Sequence, residues 1–262
     1  DIPSLEVLVD HGIKFTILAP RQAKRTRRLS GARRWKDVNE SDLDTSVPYL
    51  CTLPSGRQIA LFFYDGDTAQ RVAFEKLLSD GEQFFQHMQS RFDPNRDEAQ
   101  LVHMATDGET FGHHHRFEEM ALAYLISRLE GDERLRLTNY GEFLSLCPPA
   151  WEAEIVEASS WSCVHGVERW RSDCGCRPSG SSAHQKWRAP LREALNHLKV
   201  RLDEVFEREG GELFRDPWGA FEAYIHVPLD RGEAQARRFL AKAASRDLTD
   251  EEATRALKLL EM

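Results

Sequence analysis

The sequence contains no apolar run long enough to cross a lipid bilayer. A membrane-spanning helix needs about 18 consecutive apolar residues, and no stretch of the 262 residues approaches that length. The amino terminus also lacks the basic and then apolar pattern of a secretory signal. We therefore expect a cytoplasmic protein without a membrane partner.

A disulfide framework and an excess of positive charge are absent as well. Five cysteines are an odd number for paired thiols, and they are spread over a chain that is large enough to fold without cross-links. The net charge of −8 argues against a nucleic-acid-binding protein, whose basic surface would raise the balance. Reduced thiols and a small neutral or polyhydroxyl substrate are therefore expected.

Both ends of the sequence resemble cut points. Asp1 and Pro3 are typical of a helix cap and a first helical turn, and no initiator methionine precedes them. At the other end, an apolar helical pattern continues up to Met262. We therefore expect this sequence to be a fragment of a longer protein.

Strands and helices alternate in the first two thirds of the chain. The hydrophobic patterns and the turn residues predict helices at 4–9, 68–79, 81–91, 117–129 and 139–144, and strands at 13–18, 49–53, 58–64, 101–105 and 135–137. The strands at 49–53 and 58–64 flank a proline and a glycine, which predicts a β-hairpin. This order of elements is typical of an α/β fold.

Residues 21–47 show little apolar periodicity. A basic cluster there, which includes Arg25 and Arg33, is followed by several acidic residues. An anion site or a nucleic-acid patch is one interpretation, but the neighbouring acids favour a solvated face. The segment is therefore predicted to be an excursion on the surface.

The carboxyl-terminal part has a different composition. Residues 158–186 are rich in serine, cysteine, glycine and tryptophan and predict a long ordered loop. Leucines at helical intervals follow from residue 187, and Thr249 with Glu252 forms a capping-box pattern. We therefore predict a catalytic domain at 1–186 and a helical subdomain at 187–262.

The most informative stretch is residues 106–115, Thr-Asp-Gly-Glu-Thr-Phe-Gly-His-His-His. It follows a predicted strand and precedes a predicted helix, a position at which reactive side chains collect in α/β folds. Asp107 and Glu109 are candidate acid/base groups, and their alternative role is to cap the next helix. Three adjacent histidines cannot all face one ion, so contacts with a sugar or a carboxylate are favoured over metal binding.

A second cluster lies in the long loop. Cys163, His165, Cys174 and Cys176 make a candidate zinc set, although their spacing is tighter than that of common zinc knuckles; a packed, reduced loop is the alternative. Trp161 offers a flat platform for a sugar ring or an anchor in the core.

Asp65 is a further candidate. It follows the predicted strand at 58–64, so it either lies on the same rim as the other reactive groups or caps the next helix.

Residues 107–113, Asp-Gly-Glu-Thr-Phe-Gly-His, resemble the fourth conserved region of glycoside hydrolase family 57. Residues 5–15 are similar to the helix and strand that follow the third conserved region of that family. The loop at 161–176 resembles a branch whose members are uncharacterised or α-amylase-related. The resemblance implies a partial (β/α)7-type barrel followed by a carboxyl-terminal helical subdomain.

The same resemblance implies a retaining mechanism on α-glucans or maltooligosaccharides, by hydrolysis or by glucan transfer. It makes Asp107 the general acid/base and Glu109 a supporting residue. The expected substrate-binding residues are His113, Trp161, His165 and Asp65. The glutamate nucleophile of the family belongs to a region that would precede Asp1, so the fragment by itself would be weakly active or inactive. No cofactor or metal ion is expected.

Two other functions fit the same residues. A metal-dependent carbohydrate hydrolase or deacetylase would use Asp107 and the histidines to hold a cation that activates water. A noncatalytic glucan-binding module would use the aromatic residues of the long loop. The glycosidic linkage, the choice between hydrolysis and transfer, and the oligomeric state stay open.

Overall fold

The structure is a computed structural model that describes residues 1–31, 34–177, 182–230 and 232–261. The chain folds into two compact units, Asp1–Arg169 and Trp170–Met262. The domain boundary at 186/187 stays a prediction. No helix among the described residues has the length and apolar character that a membrane span requires.

The first unit is built on a six-stranded sheet of mixed direction. Its strands are β1 (Phe15–Leu18), β2 (Ala23–Arg28), β3 (Lys36–Asp37), β4 (Tyr49–Thr52), β5 (Gln58–Phe63) and β6 (Trp151–Ile155). Their order in the sheet is β1-β5-β4-β6-β2-β3. The pairs β1–β5 and β4–β6 are parallel, and the other neighbours are antiparallel. The predicted α/β character and the β4–β5 hairpin are confirmed.

The helices that the described residues of the first unit form beside this sheet are α1 (Ile2–Asp10), α2 (Gly66–Phe74), α3 (Gly81–Ser90), α4 (Glu119–Glu130) and α5 (Tyr140–Leu146). The cap of α1 is the predicted one, because the Asp1 side chain accepts a hydrogen bond from the Ser4 N–H at 3.0 Å. The predicted helix at 68–79 ends earlier, at Phe74, and only a 3₁₀ turn follows at Leu77–Ser79.

The sheet is curled, and the link between β1 and β2 shows why. From Leu18 to Ala23 the chain can reach at most about 18 Å. Three strands lie between β1 and β2, so a flat sheet would separate them by about 19 Å, even before any offset along the strands. The link can therefore be made only if the sheet bends round on itself.

The prediction of a surface excursion at 21–47 is wrong for β2. Arg25 lies opposite Glu154 and Arg27 lies opposite Glu152 in the sheet. The guanidinium nitrogens of each arginine approach the opposite carboxylate to 2.6–2.8 Å. Cross-strand ion pairs therefore replace the apolar alternation that the sequence pattern required. Arg33 of the basic cluster lies outside the described residues.

Two predicted strands are also wrong. Residues 101–105 are extended but have no ladder; the Leu101 N–H donates to the Ser46 carbonyl at 2.9 Å, and the Asp65 N–H donates to the His103 carbonyl at 2.9 Å. Residues 135–137 form no strand either, and Leu137 is exposed. Short apolar runs do not reveal whether a partner strand is available.

His103 locks the extended segment in place. Its Nε2 lies 3.0 Å from the Thr45 carbonyl oxygen and its Nδ1 lies 3.0 Å from the Tyr140 hydroxyl. A carbonyl only accepts, so Nε2 carries the proton and Nδ1 accepts from the tyrosine. Burial lowers the pKa of His103 and outweighs the hydrogen bond to Thr45. The imidazole is therefore held neutral.

The second unit is helical, as predicted. Its helices are α7 (Arg188–Leu213), α8 (Pro217–Ala223), α9 (His226–Leu229), α10 (Glu233–Ala243) and α11 (Asp250–Leu260), and the short helix α6 (Glu168–Arg171) crosses the unit boundary. The capping box of α11 is confirmed, because the Thr249 N–H donates to Glu252 at 2.9 Å and the Glu252 N–H donates to Thr249 at 3.3 Å. Phe206, Leu213 and Leu259 belong to its core.

A pair of phenylalanine variants tests the position of the core. Phe62 in β5 is fully buried, whereas Phe74 at the end of α2 is 76% exposed. We expect Phe62→Ala to lower the free energy of unfolding by about 3–5 kcal/mol, because it leaves a cavity in the core. Phe74→Ala should change it by less than about 0.5 kcal/mol. Equal losses in denaturant titrations would contradict this placement of β5.

The buried neutral histidine predicts a loss of stability in acid. Because the pKa of His103 is lower in the folded chain than its ordinary value near 6.5, the unfolded chain takes up the proton first. Stability should therefore be complete above about pH 6.5 and should fall as the pH drops below it. Between about pH 7 and pH 5, the free energy of unfolding of His103→Gln should depend less on pH than that of wild type. The residual slope includes His87, whose pKa burial also lowers; an unchanged slope would show that His103 is not responsible.

Candidate functional site

The candidate active-site loop, residues 106–115, is attached near the carboxyl ends of β1 and β5. The Tyr64 N–H, just after β5, donates to the Leu18 carbonyl at 3.2 Å. The next residue, Asp65, holds the His103 carbonyl through its own N–H. The loop therefore leaves the fold beside the ends of two parallel strands, where α/β folds place reactive groups.

The backbone of the loop is held by its own hydrogen bonds. Residues Gly108–Thr110 form a 3₁₀ turn, in which the Thr110 N–H donates to the Asp107 carbonyl at 3.0 Å. The Glu109 carbonyl then accepts from the N–H groups of His113 at 3.1 Å and His114 at 2.8 Å. These bonds give the loop a defined conformation although it contains no ladder or long helix.

The two candidate carboxylates point into solvent. Asp107 and Glu109 are both exposed. Asp107 stands at the cap position of the 3₁₀ turn, but its side chain accepts no capping hydrogen bond. Within the described residues, neither carboxylate has a hydrogen bond or ion pair with another side chain. The capping alternative is therefore wrong for the Asp107 carboxylate.

The three histidines behave differently from one another. His113 and His114 are exposed, and their ring centroids lie 5.3 Å apart. The ring of His115 is half-buried, and its Nε2 lies 3.3 Å from the Ala73 carbonyl oxygen, to which it can only donate. His115 therefore has a structural role, whereas the rings of His113 and His114 are accessible from solvent.

Glu118 is a charged residue near the site that the sequence analysis missed. It is buried, its Oε1 lies 3.9 Å from His115 Nδ1, and its Oε2 has no hydrogen-bond partner among the described residues. In the sequence, Glu118 is the first acidic residue after the histidine run, three positions beyond His115. The Glu118 carboxylate therefore lies beside the His115 ring below the surface.

Asp65 lies below the surface. Its carboxylate caps α2 through the Thr68 N–H at 3.2 Å and pairs with the Arg91 guanidinium. The side chain borders a cavity of about 190 Å³ that is also lined by Asp44 and His103. The capping role is confirmed, and contact between Asp65 and substrate stays a prediction.

Trp161 belongs to a second loop that is attached to the β1–β2 link. Gln22 in that link accepts from the Val156 N–H at 2.8 Å and donates its side-chain amide to Ser159 Oγ at 3.2 Å. Trp161 is 63% exposed, so the alternative that it anchors the loop in the core is wrong. The link that begins at Leu18 thus contacts the residues at the start of the Trp161 loop, and through Leu18 it also contacts Tyr64, next to the residue that holds His103.

His165 lies close to a cysteine. Its Nδ1 is 3.7 Å from Cys163 Sγ. The four side chains of Cys163, His165, Cys174 and Cys176 converge so that one ligand atom of each lies within 4.8 Å of the others. Among the residues that the structure describes, no other group of three or more such ligands converges in this way.

The comparisons with known proteins concern the fold and the carboxyl-terminal part. Residues 184–262 match the family described as "Domain of unknown function (DUF3536)". No curated protein in the comparison matches the chain.

Two solved structures are similar to the chain. An exo-type maltose-forming amylase from Pyrococcus sp. ST04 has 16% identity and a TM-score of 0.64, with 94% of this chain and 44% of the amylase covered. A 4-α-glucanotransferase from Thermococcus litoralis has 16% identity and a TM-score of 0.46, with 92% of this chain and 35% of the transferase covered. The chain thus spans less than half the length of either enzyme.

The match at residues 184–262 concerns the carboxyl-terminal part of the chain. The similarity to the amylase concerns the fold.

Proposed function

We propose that this chain is part of a retaining enzyme that hydrolyses or transfers α-glucans, and that Asp107 is its general acid/base. The observation that carries the proposal is the state of the Asp107 carboxylate. It is exposed and unpaired among the described residues, yet it stands on a backbone fixed by hydrogen bonds. A carboxylate that caps no helix and forms no ion pair is available for a substrate.

In the first step Asp107 gives its proton to the glycosidic oxygen while the bond from that oxygen to the anomeric carbon breaks. A carboxylate nucleophile bonds to the anomeric carbon from the opposite face. In the second step the Asp107 carboxylate takes the proton of a water molecule or of an acceptor sugar hydroxyl. The oxygen of that molecule displaces the nucleophile, so the anomeric configuration is retained.

The nucleophile is proposed to belong to a part of the full-length protein outside this sequence. Retaining enzymes place their two carboxyl groups about 5–5.5 Å apart on opposite sides of the scissile bond. Glu109 shares a 3₁₀ turn with Asp107, so the two side chains start from the same short segment. Glu109 is therefore assigned a supporting role.

Two of the other predicted residues, His113 and Trp161, are assigned to substrate binding. His113 presents an exposed ring on the same loop, where its N–H can reach a sugar hydroxyl. Trp161 presents an exposed aromatic face from the second loop, and such a face packs against the apolar side of a sugar ring. Both side chains are assigned to one extended sugar chain, because the Trp161 loop contacts Gln22 and the segment that leads to the Asp107 loop is held next to Tyr64, which contacts Leu18.

We also propose that the curled sheet is part of a (β/α)7-type barrel in the full-length protein. The short β1–β2 link requires strong curvature, and the fold is similar to the Pyrococcus amylase over nearly all of this chain. That amylase is named as maltose-forming, which agrees with a substrate made of α-linked glucose.

Replacement of Asp107 tests the proposal. Full-length Asp107→Asn should release reducing sugar from maltooligosaccharides, or redistribute their lengths, about 10²–10⁴-fold more slowly than wild type, because proton transfer is lost. Asp97→Asn is the matched control, since Asp97 is an exposed aspartate in the same unit. It should keep full activity.

A second assay separates chemistry from folding. In Asp107→Ala, an aryl glycoside with a good leaving group should still react in the first step, and added azide should yield a glycosyl azide of retained configuration. Thermal unfolding checks that the variant is folded. Wild-type rates in folded Asp107→Asn, or inversion at the anomeric carbon, would overturn the assignment.

A noncatalytic glucan-binding module is the second candidate, because Trp161 is exposed. Glucan affinity that is lost in Trp161→Ala, in a full-length protein without any turnover, would favour it. The metal-dependent hydrolase is not favoured by a comparable observation, because the histidines of the loop at 106–115 do not converge with Asp107 as a ligand set in the described chain.

A further inference from the structure

We propose that Cys163, His165, Cys174 and Cys176 form a structural zinc site. All four belong to one short continuous stretch, residues 163–176, so the local path of the chain brings them together. Sulfur and imidazole nitrogen are the ligands that zinc prefers in structural sites.

The distances fit a tetrahedral ion. Four atoms that are no more than 4.8 Å apart all lie within about 2.9 Å of a common point. Zinc binds sulfur at about 2.3 Å and imidazole nitrogen at about 2.0–2.1 Å, so each ligand atom has to move inward by less than about 1 Å. The 3.7 Å between Cys163 Sγ and His165 Nδ1 is close to the edge of about 3.5 Å that those bond lengths give in a tetrahedron.

The backbone within the cluster, just after His165, is shaped for this arrangement. Gly166 has φ +61°, and a Cβ at this position would lie 2.1 Å from the Ala158 carbonyl oxygen. Only glycine permits such a close approach. The Gly166 N–H also donates to the Cys163 carbonyl at 3.0 Å, and the Val167 N–H donates to the Ala158 carbonyl at 2.9 Å. The resulting tight turn brings Cys163 and His165 to the same side.

A cation next to the cluster favours thiolates. Arg188 Nη1 lies 3.7 Å from Cys174 Sγ, so a guanidinium N–H donates to that sulfur. Zinc with three thiolates and one neutral imidazole carries a net charge of −1, and Arg188 compensates it. Groups around the ligands that donate hydrogen bonds and balance charge are typical of metal sites.

Four protein ligands leave zinc no open position for water or substrate, which makes the site structural. An ion can reach the cluster from solvent, because His165 is exposed and Cys174 and Cys176 are half-buried. In this assignment the imidazole of His165 holds zinc, and its predicted contact with substrate is replaced. The stretch that follows Trp161 is thereby fixed by coordination.

Metal analysis of the purified full-length protein tests the site. Wild type should contain one zinc ion per chain, whereas Cys174→Ser, Cys176→Ser and His165→Gln should lose it. Cys147→Ser and His197→Gln are the matched controls, because both residues lie outside the cluster; they should keep the zinc of wild type. Cobalt added to metal-free wild type should give the intense visible bands of a tetrahedral thiolate site.

Three results would overturn the proposal. The first is a zinc content in the cluster variants equal to that of wild type. The second is a wild-type chain whose mass is lower by two hydrogens, because two of these cysteines form a disulfide. The third is a cobalt spectrum without thiolate bands. The cobalt experiment uses only wild type, so it decides the question even if a variant does not fold. None of these measurements depends on glucan turnover, so a failure of the proposed activity leaves the zinc test intact.

Discussion

The short link from β1 to β2 is the constraint on which the arrangement of the first unit depends. It is too short to cross three intervening strands of a flat sheet, so the sheet has to bend. The bend brings Gln22, which follows β1, next to Val156, which follows β6. At the other end of the link, Leu18 accepts from Tyr64, and the next residue, Asp65, donates to His103. This curvature therefore places the Trp161 loop and the segment that leads to the Asp107 loop.

Much of the fold could be predicted because its elements carry local signals. The cap at Asp1 and the capping box at Thr249 are read from adjacent residues, and both are found in the structure. β2 could not be predicted in this way, since its stability comes from Glu152 and Glu154, more than a hundred residues later. The prediction of a strand around His103 failed for the opposite reason. The apolar pattern of the segment is that of a strand, but its backbone bonds to single residues instead of to a neighbouring strand.

From the sequence, the candidate site could be predicted only through the types of residue in its motif, not through the contacts that each side chain makes. The motif at 107–113 identified the loop, but whether Asp107 caps a helix or stays available depends on side-chain geometry. Asp65 shows the contrast, because an aspartate at a similar position after a strand is committed to Thr68 and Arg91. The role of Gly166 was equally hidden, since it follows from contact with the Ala158 backbone.

The two loops achieve order by different physical means, which separates their roles. The Asp107 loop is held by backbone hydrogen bonds within itself, and among the residues that the structure describes its two carboxylates are unpaired. In the proposed enzyme they are therefore available for proton exchange with the glucan. The stretch after Trp161 places three sulfur atoms and an imidazole together, a set whose chemistry is complete once an ion is bound. An ion held there would restrict the backbone next to Trp161 without entering proton transfer at Asp107. In the proposed enzyme, loss of the proposed zinc ion should therefore weaken glucan binding more than it slows bond cleavage in bound substrate.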